Sequence, residues 1–197
     1  NNTAFGYNSL TSLTSGGDNT AVGDRTLADL TTGARNVAIG NVAGESVDTA
    51  NDCVLIGDQA GNALVTGSSN VIIGSAAGTL CTTSNNVLLG YQAGSVMTTA
   101  ASVVYIGSGA GSSATIGAGN VAVGQNSLAV ITSQSGLTAV GYQTGQLNTG
   151  ERNTFLGYQA GSANTTGEDS TYVGYQSGNA ATTAINNTCM GSSCGGT

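Results

Sequence analysis

One recurring glycine constrains this chain more than anything else in it. It stands at Gly6, Gly23, Gly40, Gly57, Gly74, Gly90, Gly107, Gly124, Gly141, Gly157, Gly174 and Gly191, with successive members 17 residues apart and twice 16. Each closes a short apolar segment such as Asn36-Val37-Ala38-Ile39-Gly40. A period held over the whole length means stacked units that touch only their neighbours, not a globule. The expected fold is all-β: a parallel β-solenoid (β-roll) of twelve coils in one repeat domain over residues 1–197. Strands spaced ~4.8 Å apart make it a rod roughly 55–60 Å long.

Numbering each coil from its glycine as position 0 exposes several rows. Position −1 is large and apolar in all twelve coils, from Phe5 and Val22 to Val173 and Met190, and −3 is always Thr or Val. Residues two apart in a strand share a face. The −1 and −3 rows are therefore expected to line the interior. The invariant glycine marks a corner where φ is positive or a neighbouring backbone comes close. Position +3 is always small, and +4 is Gly except at Leu10, Leu27 and Leu128, as a tight turn packed on the core requires. Position +7 is apolar through most of the chain (Leu30, Val47, Leu64, Cys81, Met97, Ile131), which suggests a second short strand closing the coil. At Asn148 and Asn164 that row turns polar, so either the register shifts by one or an internal Asn ladder begins. Position −4 is Asn in eight coils, and stacked amides can bond to one another and to turn carbonyls.

By the same alternation, −2 should face outward, where polar residues belong. It reads instead Ala4, Ala21, Ala38, Leu55, Ile72, Leu88, Tyr105, Ala122, Ala139, Phe155, Tyr172 and Cys189, with no charge anywhere. A long apolar stripe should not stay wet on a soluble rod. Leu55, Ile72, Leu88, Tyr105, Phe155 and Tyr172 are thus the expected oligomer interface.

Composition narrows the function classes. There are three Arg, ten acidic residues, no Lys, no His and no Pro, for a net charge of −7. No basic stripe exists to neutralise phosphates, so nucleic acid is not an expected partner, nor is an anionic membrane surface. No apolar run approaches the ~18 residues of a membrane helix. The chain opens without Met or a signal-like segment, as a processed chain or fragment would.

The blocks Asn36–Gly40, Asn120-Val121-Ala122-Val123-Gly124 and Asn19-Thr20-Ala21-Val22-Gly23 resemble the repeat of trimeric autotransporter adhesin heads, the YadA-like left-handed parallel β-roll. The longer block Asn153-Thr154-Phe155-Leu156-Gly157-Tyr158-Gln159-Ala160-Gly161 is similar to repeats of bacteriophage and large-virus tail fibres. The resemblance implies a parallel homotrimer with the −2 row near the threefold axis. It implies a shaft or adhesive surface outside the cell or on a virion, and supplies no catalytic residues. Adhesin-head coils are usually shorter than 17 residues.

Other residues carry narrower expectations. Asp18, Arg35 and Asp52 occupy −5 in successive coils, as do Arg152 and Asp169, which predicts ion-pair ladders worth ~0–1 kcal/mol each. Acid concentrates at Asp24, Asp29, Glu45, Asp48, Asp52 and Asp58, but without the spacing of a Ca²⁺ loop, so no metal site is expected. Cys81 in the +7 row reads as a buried small hydrophobe, and Cys53 takes an Asn place at −4. Cys189 and Cys194 are the candidate disulfide, clipping the last coil or linking chains. Tyr142, Tyr158 and Tyr175, each followed by Gln, form a candidate glycan-contact strip or a plain stacking ladder.

No enzyme is expected: His is absent and no Ser or Cys has a base placed beside it. No cofactor is expected either. The leading reading is a rigid fibre segment that partners itself, as a homotrimer and through end-to-end joining, and contacts a cell-surface receptor. A glycan-binding module is the second reading. An ice-binding solenoid is the third, from Thr doublets at about +8 and +9. Adjacent Thr in a strand would point to opposite faces, where Thr-x-Thr would be expected.

Overall fold

A computed structural model describes residues 1–195. Twelve strands follow in order: β1 (Asn2–Phe5), β2 (Asn19–Val22), β3 (Val37–Ile39), β4 (Val54–Ile56), β5 (Val71–Ile73), β6 (Val87–Leu89), β7 (Val104–Ile106), β8 (Val121–Val123), β9 (Thr138–Val140), β10 (Thr154–Leu156), β11 (Thr171–Val173) and β12 (Thr188–Met190). They form one sheet in chain order, every pair parallel. The fold is a parallel β-solenoid, and coil n carries strand n. Register is strict: Val54, Leu55 and Ile56 pair with Val71, Ile72 and Ile73. Register survives the 16-residue intervals too, since Val71 still pairs with Val87.

Among the described residues the second strand expected around +7 does not form; each coil has one strand. The opposite wall is a chain of tight turns. In coil 4 the Ala60 N–H donates to the Gly57 carbonyl (3.3 Å), Asn62 to Gln59 (3.3 Å) and Leu64 to Gly61 (3.1 Å). Such turns need positive φ; every coil supplies it at 0, +2 and +4, and coils 2–12 also at −5: Asp52 (60°), Gly57 (131°), Gln59 (58°) and Gly61 (59°) in coil 4. The other donors reach the adjacent coil, as Gln59 N–H does to the Asn41 carbonyl (3.0 Å).

The invariant glycine answers to both causes expected of it. Gly57 has φ 131°, and a Cβ there would lie 2.6 Å from the Gly74 carbonyl oxygen. Corner backbones stack too closely for any side chain.

The interior holds the −2 row, which corrects the expected facing. Leu55, Ile72, Leu88, Tyr105 and Phe155 are 0% exposed and Tyr172 is 2% exposed within the single chain. The −1 and −3 rows lie on the outside. The cause is the width of the coil. Across the core from the strand sit the +3, +4 and +7 rows, leaving room for one strand row, not two. Side-chain sizes match across that gap. Where +4 is Leu (Leu10, Leu27, Leu128), the same coil has Ala at −2 (Ala4, Ala21, Ala122). Where −2 is large, +4 is Gly: a Cβ on Gly111 would lie 2.6 Å from the Tyr105 ring, and on Gly161 2.3 Å from the Phe155 ring.

Polar residues inside are satisfied along the axis. The Asn36 side chain donates to the Ala50 carbonyl (2.8 Å) and its backbone N–H to Asn19 Oδ1 (3.0 Å). Where Asn is replaced, the N–H still finds an Asn below: Cys53 to Asn36, Leu137 to Asn120. Of the two alternatives at +7, the internal Asn ladder forms, with Asn164 Nδ2 donating to Asn148 Oδ1 at 2.7 Å. Among the described residues the Tyr105 hydroxyl is the exception: it is buried without a hydrogen bond. Burial pushes its pKa up to about 12, weakly opposed by the Asn120 amide.

Candidate functional site

The six residues expected at an oligomer interface have almost no surface in the lone chain, so they cannot meet a partner. The surface they were assigned belongs to their strand neighbours. Strand alternation points −3 and −1 outward, and these rows run side by side over all twelve strands. The −1 row is wholly aliphatic between the terminal Phe5 and Met190, and the −3 row is Val in coils 3–8 and Thr elsewhere. No position in either row is charged. Ile39, Leu89 and Leu156 are 39%, 38% and 47% exposed. The intermediate exposure has a local cause. Each side chain is covered above and below by its equivalents in the adjacent coils, and only its outward end meets water.

The two corners of the coil border this face with polar rows. On the −5 side, the Arg35 guanidinium donates to both Asp52 oxygens (2.6 and 2.8 Å). Arg152 donates to Asp169 (2.7 and 3.1 Å), Glu168 (2.9 Å) and Glu151 (3.0 Å). The Arg152–Asp169 ladder is present; of the Asp18–Arg35–Asp52 ladder only the Arg35–Asp52 pair forms, while Asp18 lies 3.5 Å from the amino group of Asn1. The hydrogen bond from Arg35 holds the Asp52 carboxyl below the usual carboxylate range, and Arg152 does the same to Asp169.

On the +1 side, Tyr142, Tyr158 and Tyr175 stack with ring centroids 5.3 Å apart and planes 16° and 10° from parallel. Beneath them, Gln159 Nε2 donates to Gln143 Oε1 and Gln176 Nε2 to Gln159 Oε1, both at 2.9 Å. The rings spend their faces on one another. Tyr158, covered on both sides, has only its edge and hydroxyl to offer, so stacking on a sugar ring is closed to it.

The Thr doublets lie at a corner, not in a strand, so neither member is buried, and both are exposed at Thr98-Thr99 and Thr182-Thr183. The opposite-face expectation fails for that reason. The +8 hydroxyls bond to the next coil: Thr98 to the Thr115 carbonyl (3.2 Å), Thr115 to Thr132 (3.0 Å), Thr165 to Thr182 (2.8 Å).

Cys189 is bonded to Cys194 within the chain, with Cα atoms 5.9 Å apart, clipping the strand of coil 12 to its own turn. Cys53 and Cys81 are free and buried, and desolvation raises both thiol pKa values. The acidic residues of coils 2–4 are drawn to separate partners: Glu45 to Arg25, Asp52 to Arg35, Asp58 to Asn41, Asp48 to Thr31. Among the described residues no three metal-ligating side chains come together, and no helix is long and apolar enough to cross a membrane. A cavity of about 470 Å³ lies over the last coil, lined by Tyr172, Ala180 to Ala184, Asn187 and Cys189 among others.

Compared with known proteins, the chain matches no family model, no curated protein and no solved structure.

Proposed function

We propose that this chain is a rigid structural rod, a segment of a fibre, adhesin head or filament on a cell or virion surface, that assembles sideways with further copies of itself. The observation that carries the reading is the uncharged outer face of the sheet. Two rows about 7 Å apart and twelve strands long make an uncharged strip on the order of 400 Å², aliphatic in both rows through coils 3–8. With the −5 and +1 borders the strip reaches on the order of 1,000 Å², above the ~800 Å² per partner of a standard interface. A continuous uncharged strip with outward aliphatic ends is the kind of feature that marks contact surfaces on soluble proteins. The apolar centre and polar margins also match the anatomy of protein interfaces. The repeat blocks' resemblance to trimeric adhesin heads and tail fibres supports three copies and an extracellular place. The acidic balance and the absence of Lys and His speak for a scaffold rather than a nucleic-acid binder or a catalyst.

Sedimentation equilibrium tests the reading. The native chain should give a multiple of 19.1 kDa. Val71→Lys puts one charge in the middle of the face at a half-exposed site and should return the mass to that of one chain, with the fold kept. A native chain that stays at 19.1 kDa at micromolar concentration and above contradicts the proposal. The Tyr-Gln strip supports a secondary role in contacting glycans through hydroxyls and amides rather than ring faces. Silence on a glycan array would remove it.

A further inference from the structure

We infer that Asn186 is an acceptor for an N-linked glycan. It opens the triplet Asn186-Asn187-Thr188, and an Asn-x-Thr triplet serves as an acceptor where it lies on an exposed loop of a secreted chain. The inference rests on the extracellular place proposed above and adds a covalent modification to it.

The triplet occurs three times, at Asn1, Asn164 and Asn186, and the fold treats the copies differently. Asn164 is 0% exposed and belongs to the internal ladder. Its Nδ2 donates to Asn148 Oδ1 (2.7 Å) and to the Gly167 carbonyl (3.0 Å). A sugar on that nitrogen would disrupt both bonds and enter the core. Asn1 and Asn186 both stand at −5, in the first and the twelfth coil, and both are exposed. At Asn186 the corner is held by the backbone: φ is 58°, and the N–H donates to the Glu168 carbonyl at 3.1 Å. The next residue, Asn187, spends its Nδ2 on the Ile185 carbonyl (3.0 Å), whereas the Asn186 amide is drawn into no such bond among the described residues. Thr188, the third member of the triplet, is exposed as well.

The Cys189–Cys194 disulfide begins one residue beyond the triplet. Disulfides form and persist in oxidising compartments, and one of these, the ER lumen, is where N-linked glycans are attached. The −5 corner borders the outer sheet face and is not part of it. A glycan on coil 12 therefore leaves the Val row of coils 3–8 open to other copies.

The step joins Asn186 Nδ2 to C1 of an oligosaccharide carried on a lipid pyrophosphate. The bond from C1 to the pyrophosphate oxygen breaks, the lipid pyrophosphate leaves with that electron pair, and it takes up the proton the amide gives up. The Thr188 hydroxyl is the group the transferase reads at the third place.

Secretion from a eukaryotic cell tests the site. The chain is expressed behind a secretory leader with Asn1→Gln, which leaves Asn164 and Asn186. Its mass is read before and after peptide:N-glycosidase, which converts any Asn that carried a glycan to Asp. The expected product carries one glycan, and the conversion maps to Asn186. Asn186→Gln should abolish the glycan with the fold kept, because Asp52, Arg35 and Ser69 hold the same corner at φ 60°, 59° and 59°. Thr188→Val should abolish it too, and Thr188→Ser should keep it. Val already stands at −3 in coils 3–8, so a loss in Thr188→Val reports the hydroxyl and not the fold. A secreted chain with no glycan, or with a glycan at Asn164 and none at Asn186, overturns the inference. If the cell retains the chain, the same mass shift is read on chain translated into microsomes. An unglycosylated chain that still self-associates would leave the proposed rod standing. A glycosylated chain of single-chain mass would remove the assembly and keep this site.

Discussion

At Gly90 the backbone has φ 133°, and a Cβ would sit 2.7 Å from the carbonyl carbon and oxygen of Gly107. Gly119 also has positive φ, 68°, but nothing lies within 4 Å of where its Cβ would be. The two sites separate backbone strain from steric collision. Gly119→Ala should cost about 1 kcal/mol, the left-handed penalty alone. Gly90→Ala should cost about 3 kcal/mol or more, because corner carbonyls of neighbouring coils must part. Denaturant titration of both variants checks the ordering. Tyr105 carries a second residue-scale prediction. Its neutral hydroxyl is buried and its pKa is pushed up to about 12, above the ordinary ~10. A raised acid pKa in the folded state gives stability that is present below the unfolded value and is lost as pH climbs towards the folded one. Between pH ~10 and ~12 the fold should therefore lose on the order of 2–3 kcal/mol through this group. Tyr105→Phe should abolish that loss, and at neutral pH it should be neutral or stabilising because it removes an unbonded polar group.

Each strand is only three or four residues long, yet its two faces have opposite fates. Leu55 fills the core, so Leu55→Ala should cost about 2–5 kcal/mol of chain stability. Ile39, 39% exposed on the outer face, should lose about 1 kcal/mol as Ile39→Ala in the isolated chain but weaken self-association markedly. Thermal melts and sedimentation of the two variants separate the roles. Arg35 and Asp52 give a pH test. Asp52 is held below the ordinary carboxylate value chiefly by the Arg35 hydrogen bond. A depressed pKa contributes stability above the unfolded value, near pH ~3.9, and loses it as pH falls through the folded one. Arg35→Gln should move the Asp52 titration, followed by NMR of its carboxyl carbon, back up to the ordinary range.

The period, the corner glycines and the Asn column were legible in the sequence because each is a local demand repeated twelve times. Which strand face is interior was not legible from alternation, which offers two answers and no choice. The consistently large −1 row made the wrong answer attractive. The informative signal was fainter: all three Leu at +4 coincide with Ala at −2, the mark of rows that share one narrow space. The second strand was misjudged for a related reason. Apolar +7 residues report burial, whereas the three backbone turns before them report shape, and those turns rest on positive φ at residues such as Gln59 and Arg25 that rarely adopt it.

Taken whole, the molecule is a rod whose interior is complete within one chain and whose sheet is not covered by it. Rigidity comes from the first property, and the proposed assembly rests on the second. Both depend on assigning the −2 row to the inside and the −3 and −1 rows to the contact surface. The most direct measurement is an isotope-filtered methyl NOE experiment on a mixture of labelled and unlabelled chains, which registers only contacts between copies. Contacts between copies from the methyls of Val71, Ile73 and Leu89, with none from Leu55, Ile72 or Leu88, are the predicted result. Contacts between copies from that interior trio, or from neither set, would contradict it.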